Sequence, residues 1–417
     1  MIHPLRYGRS SLNLDVVDSE TVDVIVPPKV KGCSDPLHEI ENALQNPLDT
    51  DPCIFQNVKS VAIGINDKTR PVPHEYLLPP LLAFLQNKGV ARENIRLFIA
   101  TGIHLPMDRD EFIKILPREI IEQYSITCHD CDHSPLVDLG LTSRGTPVYI
   151  NRDFYTADLK ITVGNIEPHH FMGYSGGAKT AAIGLAGRGT INHNHAFITH
   201  PSAISGHYED NPMRQDAEEI GRKIGLQFVL NTLLNHEKEI VHVIAGDPRS
   251  VMSTGISLSH ELNETTVKTL YDLVIVSPGG YPKDINFYQS QKAMTHACLI
   301  TREGGDVLLL AECIEGIGNL GYENVMKNVS SHAEAMRYFI EHEFEVGPHK
   351  AYLVARDGIN KNLSLHSSLP EEQVKKLLLN PVNHPQVFLD DYFIKLTRPA
   401  KIAILPYGTT TIPHLTA

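Results

Sequence analysis

The chain has 417 residues, 42% of them hydrophobic and 21% charged, with 37 Lys and Arg against 49 Asp and Glu for a formal charge of −12. That length and mix suit two or three domains with real cores and argue against disorder. The acidic balance argues against nucleic acid or an anionic membrane as partner, and no run nears the about 20 apolar residues of a bilayer span.

Short β-branched runs that end in Gly, Asn, Asp or Thr predict strands at 61–67, 95–102, 124–130 and 159–165. After a gap come 273–280, 306–312, 351–357 and 401–408. Their apolar residues are continuous rather than alternating, as in strands buried on both faces. Helices are predicted between them. Residues 75–88 carry five leucines at helical spacing, with Pro79 and Pro80 expected to delay the start. Residues 212–224 follow the cap candidate Asn211, with Pro212 first and Gly225 as the stop. A further helix is expected at 370–379, and a small-residue one at 180–187. Strands alternating with helices predict an α/β protein with largely parallel sheets. The expected domains are 1–265 and 270–400, with the last strand, 401–417, open to return to the first.

Histidine is over-used, with 22 residues, and the six cysteines are sparse. The opening MIHPLRYGRSSLNLDV has neither the basic nor the apolar region of a signal peptide. Reduced thiols and a cytoplasmic location are therefore expected.

Ligands of open α/β sheets sit beyond the carboxyl ends of the strands. There the chain places Asp67-Lys68-Thr69-Arg70-Pro71, then Thr101-Gly102-Ile103-His104. After 159–165 comes EPHHFMGYSGGAKT (167–180), and after 273–278 come Tyr288, Gln289 and Lys292. The glycines before Lys179 read as a turn at which backbone N–H groups approach an anion, placing the lysine amine for covalent attachment. A Walker A loop is the alternative there, weakened by Ala178 in the last glycine position. His193, His195 and His200 offer one metal ligand rather than a cage, and a metal-binding protein remains a third reading. Cys128 and Cys131 lack the second ligand pair of a zinc site. Asp67 and Arg70 read equally well as a strand-end ion pair.

These segments resemble the nickel-pincer lactate racemase family of 2-hydroxyacid racemases and epimerases. DKTRP (67–71), TGIH (101–104), EPHHFMGYSGGAKT (167–180), NHNHAF (192–197) and FYQSQKA (287–293) carry the likeness in the family's order and spacing. The resemblance implies two α/β domains with the active site in the cleft between them. It implies an isomerase that moves hydride reversibly between a 2-hydroxy acid and a nickel-pincer nucleotide (a pyridinium-3,5-bisthiocarboxylate mononucleotide holding Ni(II)), through a 2-keto acid. By matched position, Lys179 carries that cofactor covalently, His195 is the nickel ligand, and His104 and His169 are the acid/base pair. Asp67, Lys68, Thr69 and Arg70 form the cofactor turn, with Arg70 also on the substrate; Tyr288, Gln289 and Lys292 contact the substrate. The implied partners are the small 2-hydroxy acid and the proteins that make the cofactor.

Overall fold

The computed structural model describes residues 1–16, 22–70, 72–342, 344, 347–396 and 398–415. Pro71 of the DKTRP segment, and residues 416 and 417 of the last predicted strand, lie outside them. The chain divides into two compact units, residues 29–262 and residues 1–28 with 263–417.

In unit 29–262, six strands form the main sheet: β1 (Val61–Asn66), β2 (Ile95–Ala100), β3 (Ser125–Cys128), β4 (Leu159–Asn165), β5 (Phe228–Leu234) and β6 (Ile240–Gly246). Their order is β6-β5-β4-β1-β2-β3, and all pairs are parallel except β5–β6. Chain order runs outward from β1 in both directions, so the topological switch lies between β1 and β4. Helix α1 (His74–Asn87) contains both Pro79 and Pro80 rather than starting after them. Two interior prolines cost about 3 kcal/mol each. Leu77, Leu78, Leu81, Leu82 and Leu85 are all buried, and each contributes about 1.5–3 kcal/mol, so packing overrides the lost backbone bonds. The small-residue helix after the glycine turn is one turn long, α2 (Lys179–Ala182). α3 (Arg188–Ala196) and α4 (Pro212–Ile224) follow. Asn211 caps α4 through its side chain, and Gly225 ends it at φ 70°, as the sequence predicts.

In the other unit, β7 (Tyr271–Val276), β8 (Thr301–Leu310), β9 (Asn362–His366), β10 (Asn380–Pro381) and β11 (Ile402–Leu405) pair in parallel in the order β10-β9-β8-β7-β11. Strand Val22–Val24 completes the sheet on β11. Two features differ from the expected domains. The C-terminal strand does not return to the first sheet, and residues 1–28 belong with the second. The physical reason is shared core: Leu5, Leu14 and Val16 pack with Leu273, Ile275, Leu308, Ile402 and Ile404. β11 also needs a neighbour on each side to satisfy its backbone. The predicted strand at 351–357 is instead helix α6 (Pro348–Gly358). Its apolar residues are buried nearly all round, a pattern that a short run shares with a core strand. Pro348 at the first helical position was the available signal. The helix predicted at 370–379 is shorter, Glu371–Lys376. α5 (Phe287–Ile300) follows the loop after β7.

All six cysteines are free thiols. Among the described residues, no helix is long and apolar enough to cross a membrane.

Candidate active site

Three neighbouring strands of unit 29–262 deliver the predicted residues to one edge of their sheet. β1 runs into Asp67, β2 runs into Thr101–His104, and β4 runs into Glu167–His170, so the site straddles the switch point.

Asp67 is 3% exposed. Its Oδ1 accepts from the backbone N–H (3.1 Å) and hydroxyl (2.6 Å) of Thr69, and its Oδ2 lies 2.8 Å from His104 Nδ1. Burial pushes this carboxyl up, but the His104 hydrogen bond and charge and the Thr69 donors outweigh it and hold it below the ordinary carboxylate range. An ionised carboxylate only accepts, so His104 carries its proton on Nδ1 and presents Nε2 as a base. The ion pair considered between Asp67 and Arg70 is not how the carboxylate is used: Arg70 donates its backbone N–H to the Asp67 carbonyl at 3.1 Å. Lys68 is ion-paired with Glu111 on the exposed side of the turn, and Lys114 joins them at 2.7 Å. Lys114 and Lys68 hold the Glu111 carboxyl at about 2.

His169 sits in a short antiparallel pair in which Pro168–His169 faces Gly173–Tyr174. The Met172 backbone N–H donates to His169 Nδ1 at 3.3 Å, so the neutral ring carries its proton on Nε2. The two candidate acid/base histidines are thus held in opposite tautomers. His169 stacks on His170 with centroids 4.7 Å apart, and both meet Phe171 edge-on. Phe171 also meets the His195 ring edge-on, with centroids 5.5 Å apart.

His195, on α3, is 7% exposed. Burial and then the nearby Lys179 ammonium push its imidazole down to about 3, so it is neutral at physiological pH and suited to bind a metal. Its neighbours on α3 have structural work. Asn194 donates to Asp216 (2.9 Å), which also accepts from Thr142 and Thr146, and Thr146 lies 2.9 Å from His193 Nδ1.

The glycine turn before Lys179 is committed to the protein interior. Gly177 N–H donates to Asn231 Oδ1 (2.8 Å), Ser175 N–H to the Glu167 carbonyl (2.8 Å), and Tyr174 N–H to the Met172 carbonyl (2.7 Å). The fully buried Arg214 clamps the same turn, donating to the Tyr174 and Gly176 carbonyls at 3.1 Å each and to Glu218 at 2.5 Å. The four-residue α2 adds little dipole. These bonds and the Arg214 clamp brace the turn before Lys179 from the protein side. Arg214, Glu218 and Asn231 escaped the sequence reading, because Arg214 and Glu218 at i, i+4 look like an ordinary surface pair.

The CHDC segment is absorbed too. His129 lies 2.9 Å from the Ala186 carbonyl and 3.2 Å from Asn151 Nδ2. Asp130, Cys131 and Asp132 come within 4.8 Å of one another, but Asp132 is held bidentately by Arg188 at 2.6 Å.

In unit 1–28 with 263–417, Tyr288, Gln289 and Lys292 occupy the start of α5. The Asn286 side chain caps that helix by accepting from Gln289 N–H at 3.0 Å. Gln289 is exposed; Tyr288 and Lys292 are half-buried.

Two imidazoles at a sheet switch point, a third that burial holds neutral, and a lysine after a braced glycine turn are the side chains of an acid/base site. The family follows from comparison. The family model for the lactate racemase N-terminal domain matches residues 7–206, and that for the C-terminal domain matches 266–356. A lactate racemase of Thermoanaerobacterium thermosaccharolyticum is 31% identical over 418 aligned residues, covering 97% of each chain. One from Lactiplantibacillus plantarum is 33% identical, covering 71% of this chain and 70% of its own. The solved lactate racemase apoprotein of T. thermosaccharolyticum superposes with a TM-score of 0.90 at 28% identity, covering 99% of this chain and 100% of that one. A Thermotoga maritima protein at 18% identity and a TM-score of 0.64, covering 93% of this chain and 100% of its own, shares the fold. The chain belongs to the lactate racemase family.

Proposed function

We propose that this protein racemises lactate or a closely related 2-hydroxy acid by reversible hydride transfer, using a nickel-pincer nucleotide attached at Lys179. The observation that carries this reading is the placing of two imidazoles on the strand ends flanking β1, with Asp67 Oδ2 at His104 Nδ1 and the Met172 N–H at His169 Nδ1, contacts that favour a basic Nε2 on His104 and an Nε2–H on His169. A racemase must serve both faces of one carbon, which calls for one base and one acid that exchange roles.

The chain's own groups fit the implied cofactor. His195 is a neutral imidazole donor beside Lys179, and the buried Ser175 Oγ, with no hydrogen-bond partner among the described residues, is a donor within the same turn for an anionic group. When bound, the cofactor supplies a hydride acceptor for the hydroxy-bearing carbon, so the substrate passes through a planar 2-keto acid. His104 Nε2 takes the hydroxyl proton, with Asp67 stabilising the imidazolium that results. The proton would return to the substrate oxygen from the His104 imidazolium, while His169 Nε2–H would donate a hydrogen bond to that oxygen. The Arg70 guanidinium fork and the Lys292 ammonium are the proposed carboxylate contacts, with Tyr288 and Gln289 beside the substrate. Delivery of the finished cofactor by other proteins, in the cytoplasm, belongs to the same proposal.

The test is chiral analysis of a panel of 2-hydroxy acids incubated with enzyme produced alongside a cofactor pathway. L-lactate should convert to an L/D mixture. Lys179→Ala should lack the covalent mass, and His195→Ala should hold far less than about one nickel per chain. Wild-type protein carrying neither nickel nor added mass overturns the proposal.

A further inference from the structure

The cap of α4 has a second use. Asn211 is fully buried. Its Oδ1 accepts from the backbone N–H groups of Met213 (3.1 Å) and Arg214 (3.3 Å), which is the capping role. Its Nδ2 donates to the Phe171 carbonyl at 2.9 Å, forty residues back along the chain. Other residues of that first turn make similar ties. The Met213 carbonyl accepts from Nδ2 of Asn194, the neighbour of His195 on α3, at 2.9 Å. Arg214 holds the Tyr174 and Gly176 carbonyls before Lys179 at 3.1 Å each. One helix end thus joins the histidine segment 169–171, the helix of His195 and the turn that leads to Lys179.

The tie to Phe171 bears on the imidazoles directly. The Phe171 ring meets those of His169, His170 and His195 edge-on, with centroids 4.6, 4.3 and 5.5 Å apart. The chain just before the cap lies against the same segment. Gly206 N–H donates to the Gly173 carbonyl at 3.2 Å, and a Cβ on Gly173 would sit 1.7 Å from the His207 carbonyl oxygen.

We infer that the first turn of α4 sets the spacing of His169, His195 and Lys179, and that Asn211 is the positioning residue that fixes Phe171 against the two imidazoles. The inference rests on the proposed roles of those three residues. A helix cap needs no more than an acceptor, which Asp, Ser or Thr supplies about as well as Asn. An ionised Asp has no donor, and Ser or Thr has a single atom for both tasks. Asn carries acceptor and donor on separate atoms, so the cap and the tie coexist. The tie is buried, and losing it leaves the Phe171 carbonyl unmet.

The test compares Asn211→Asp, which keeps the cap and the shape but removes the donor, with Asn211→Ser, which keeps the cap on a shorter side chain. The first readout needs no turnover. In the full chain made without a cofactor pathway, NMR should show contacts between the Phe171 ring and the rings of His169 and His195, and these should weaken in both variants. Their melting midpoints should stay closer to wild type than that of Asn211→Ala, which loses the cap as well. In cofactor-loaded enzyme, kcat for lactate per bound nickel should fall by about ten- to a hundredfold, with KM changed much less. If Asn211→Asp does not fold, Asn211→Ser decides. A cap and nothing more predicts wild-type ring contacts and wild-type kcat in Asn211→Ser, with Asn211→Ala alone impaired; that result overturns the inference. So does a loss of kcat with the Phe171 contacts unchanged. Weakened contacts in the variants of a protein that racemises no 2-hydroxy acid support the positioning role and count against the proposed reaction instead.

Discussion

Arg214→Ala should destabilise the protein by about 3–5 kcal/mol and release Lys179 from its mount. The guanidinium is fully buried and has three partners at once: the carbonyls of Tyr174 and Gly176 and the carboxylate of Glu218. Truncation leaves the buried Glu218 charge unpaired and two turn carbonyls unmet, and that uncompensated burial accounts for most of the cost. The turn is closely packed against the same neighbours. Gly177 sits at φ +57°, and a Cβ there would meet Met252 at 2.6 Å and Arg214 itself at 3.0 Å. Arg214→Lys should recover only part of the loss, because one ammonium on a shorter reach cannot span three acceptors in different directions. Denaturant melts give the stability difference as a shift in midpoint at constant slope. Intact-mass analysis gives the second effect: the fraction of chains modified at Lys179 should fall even below the unfolding transition. Full stability and full loading in Arg214→Ala would remove the clamp from the account.

The strand ends were legible because each is a continuous apolar run broken by Gly, Asn, Asp or Thr, and a parallel α/β sheet places those breaks together. His104, His169 and the lysine after the glycines could be found that way. Partners could not. Asp67 looked equally suited to Arg70 or to a ligand, because the sequence does not say that β1 and β2 bring His104 to its Oδ2. Arg214 and Glu218 have the spacing of a solvated surface pair, and only the packing of α4 on the glycine turn buries them. Helix α6 was misread because Ala351–Ala355 are apolar without a period that separates a buried helix from a buried strand. Residues 1–28 join the distant second sheet through a few apolar side chains of a hairpin, a long-range choice that no local pattern records.

Asp67→Asn should leave the fold in place and lower kcat by about a thousandfold or more, as expected when the partner of a catalytic imidazole can no longer fix its tautomer. In the native protein the carboxylate accepts from Thr69 with one oxygen and from His104 Nδ1–H with the other. An asparagine has one acceptor oxygen. The two Thr69 donors will claim it, which turns the amide NH2 toward His104. The ring must then accept at Nδ1 and carry its proton on Nε2, the atom that has to act as base. Both histidines would present Nε2–H, and the enzyme would hold two hydrogen-bond donors and no base. The charge that stabilises the imidazolium is lost as well. Because the fault lies in proton transfer, KM should move far less than kcat. The stability effect has a defined pH sign. The folded pKa of Asp67 is depressed, so its stabilising contribution is present above the unfolded value of about 4 and fades as pH falls through the folded value. Wild type and Asp67→Asn should therefore differ in melting midpoint at neutral pH and converge in acid. Chiral assay of the two enzymes at equal nickel content, with melts at both pH values, checks the whole argument. An Asp67→Asn enzyme that racemises at the wild-type rate shows that His104 does not depend on this carboxylate for its working tautomer.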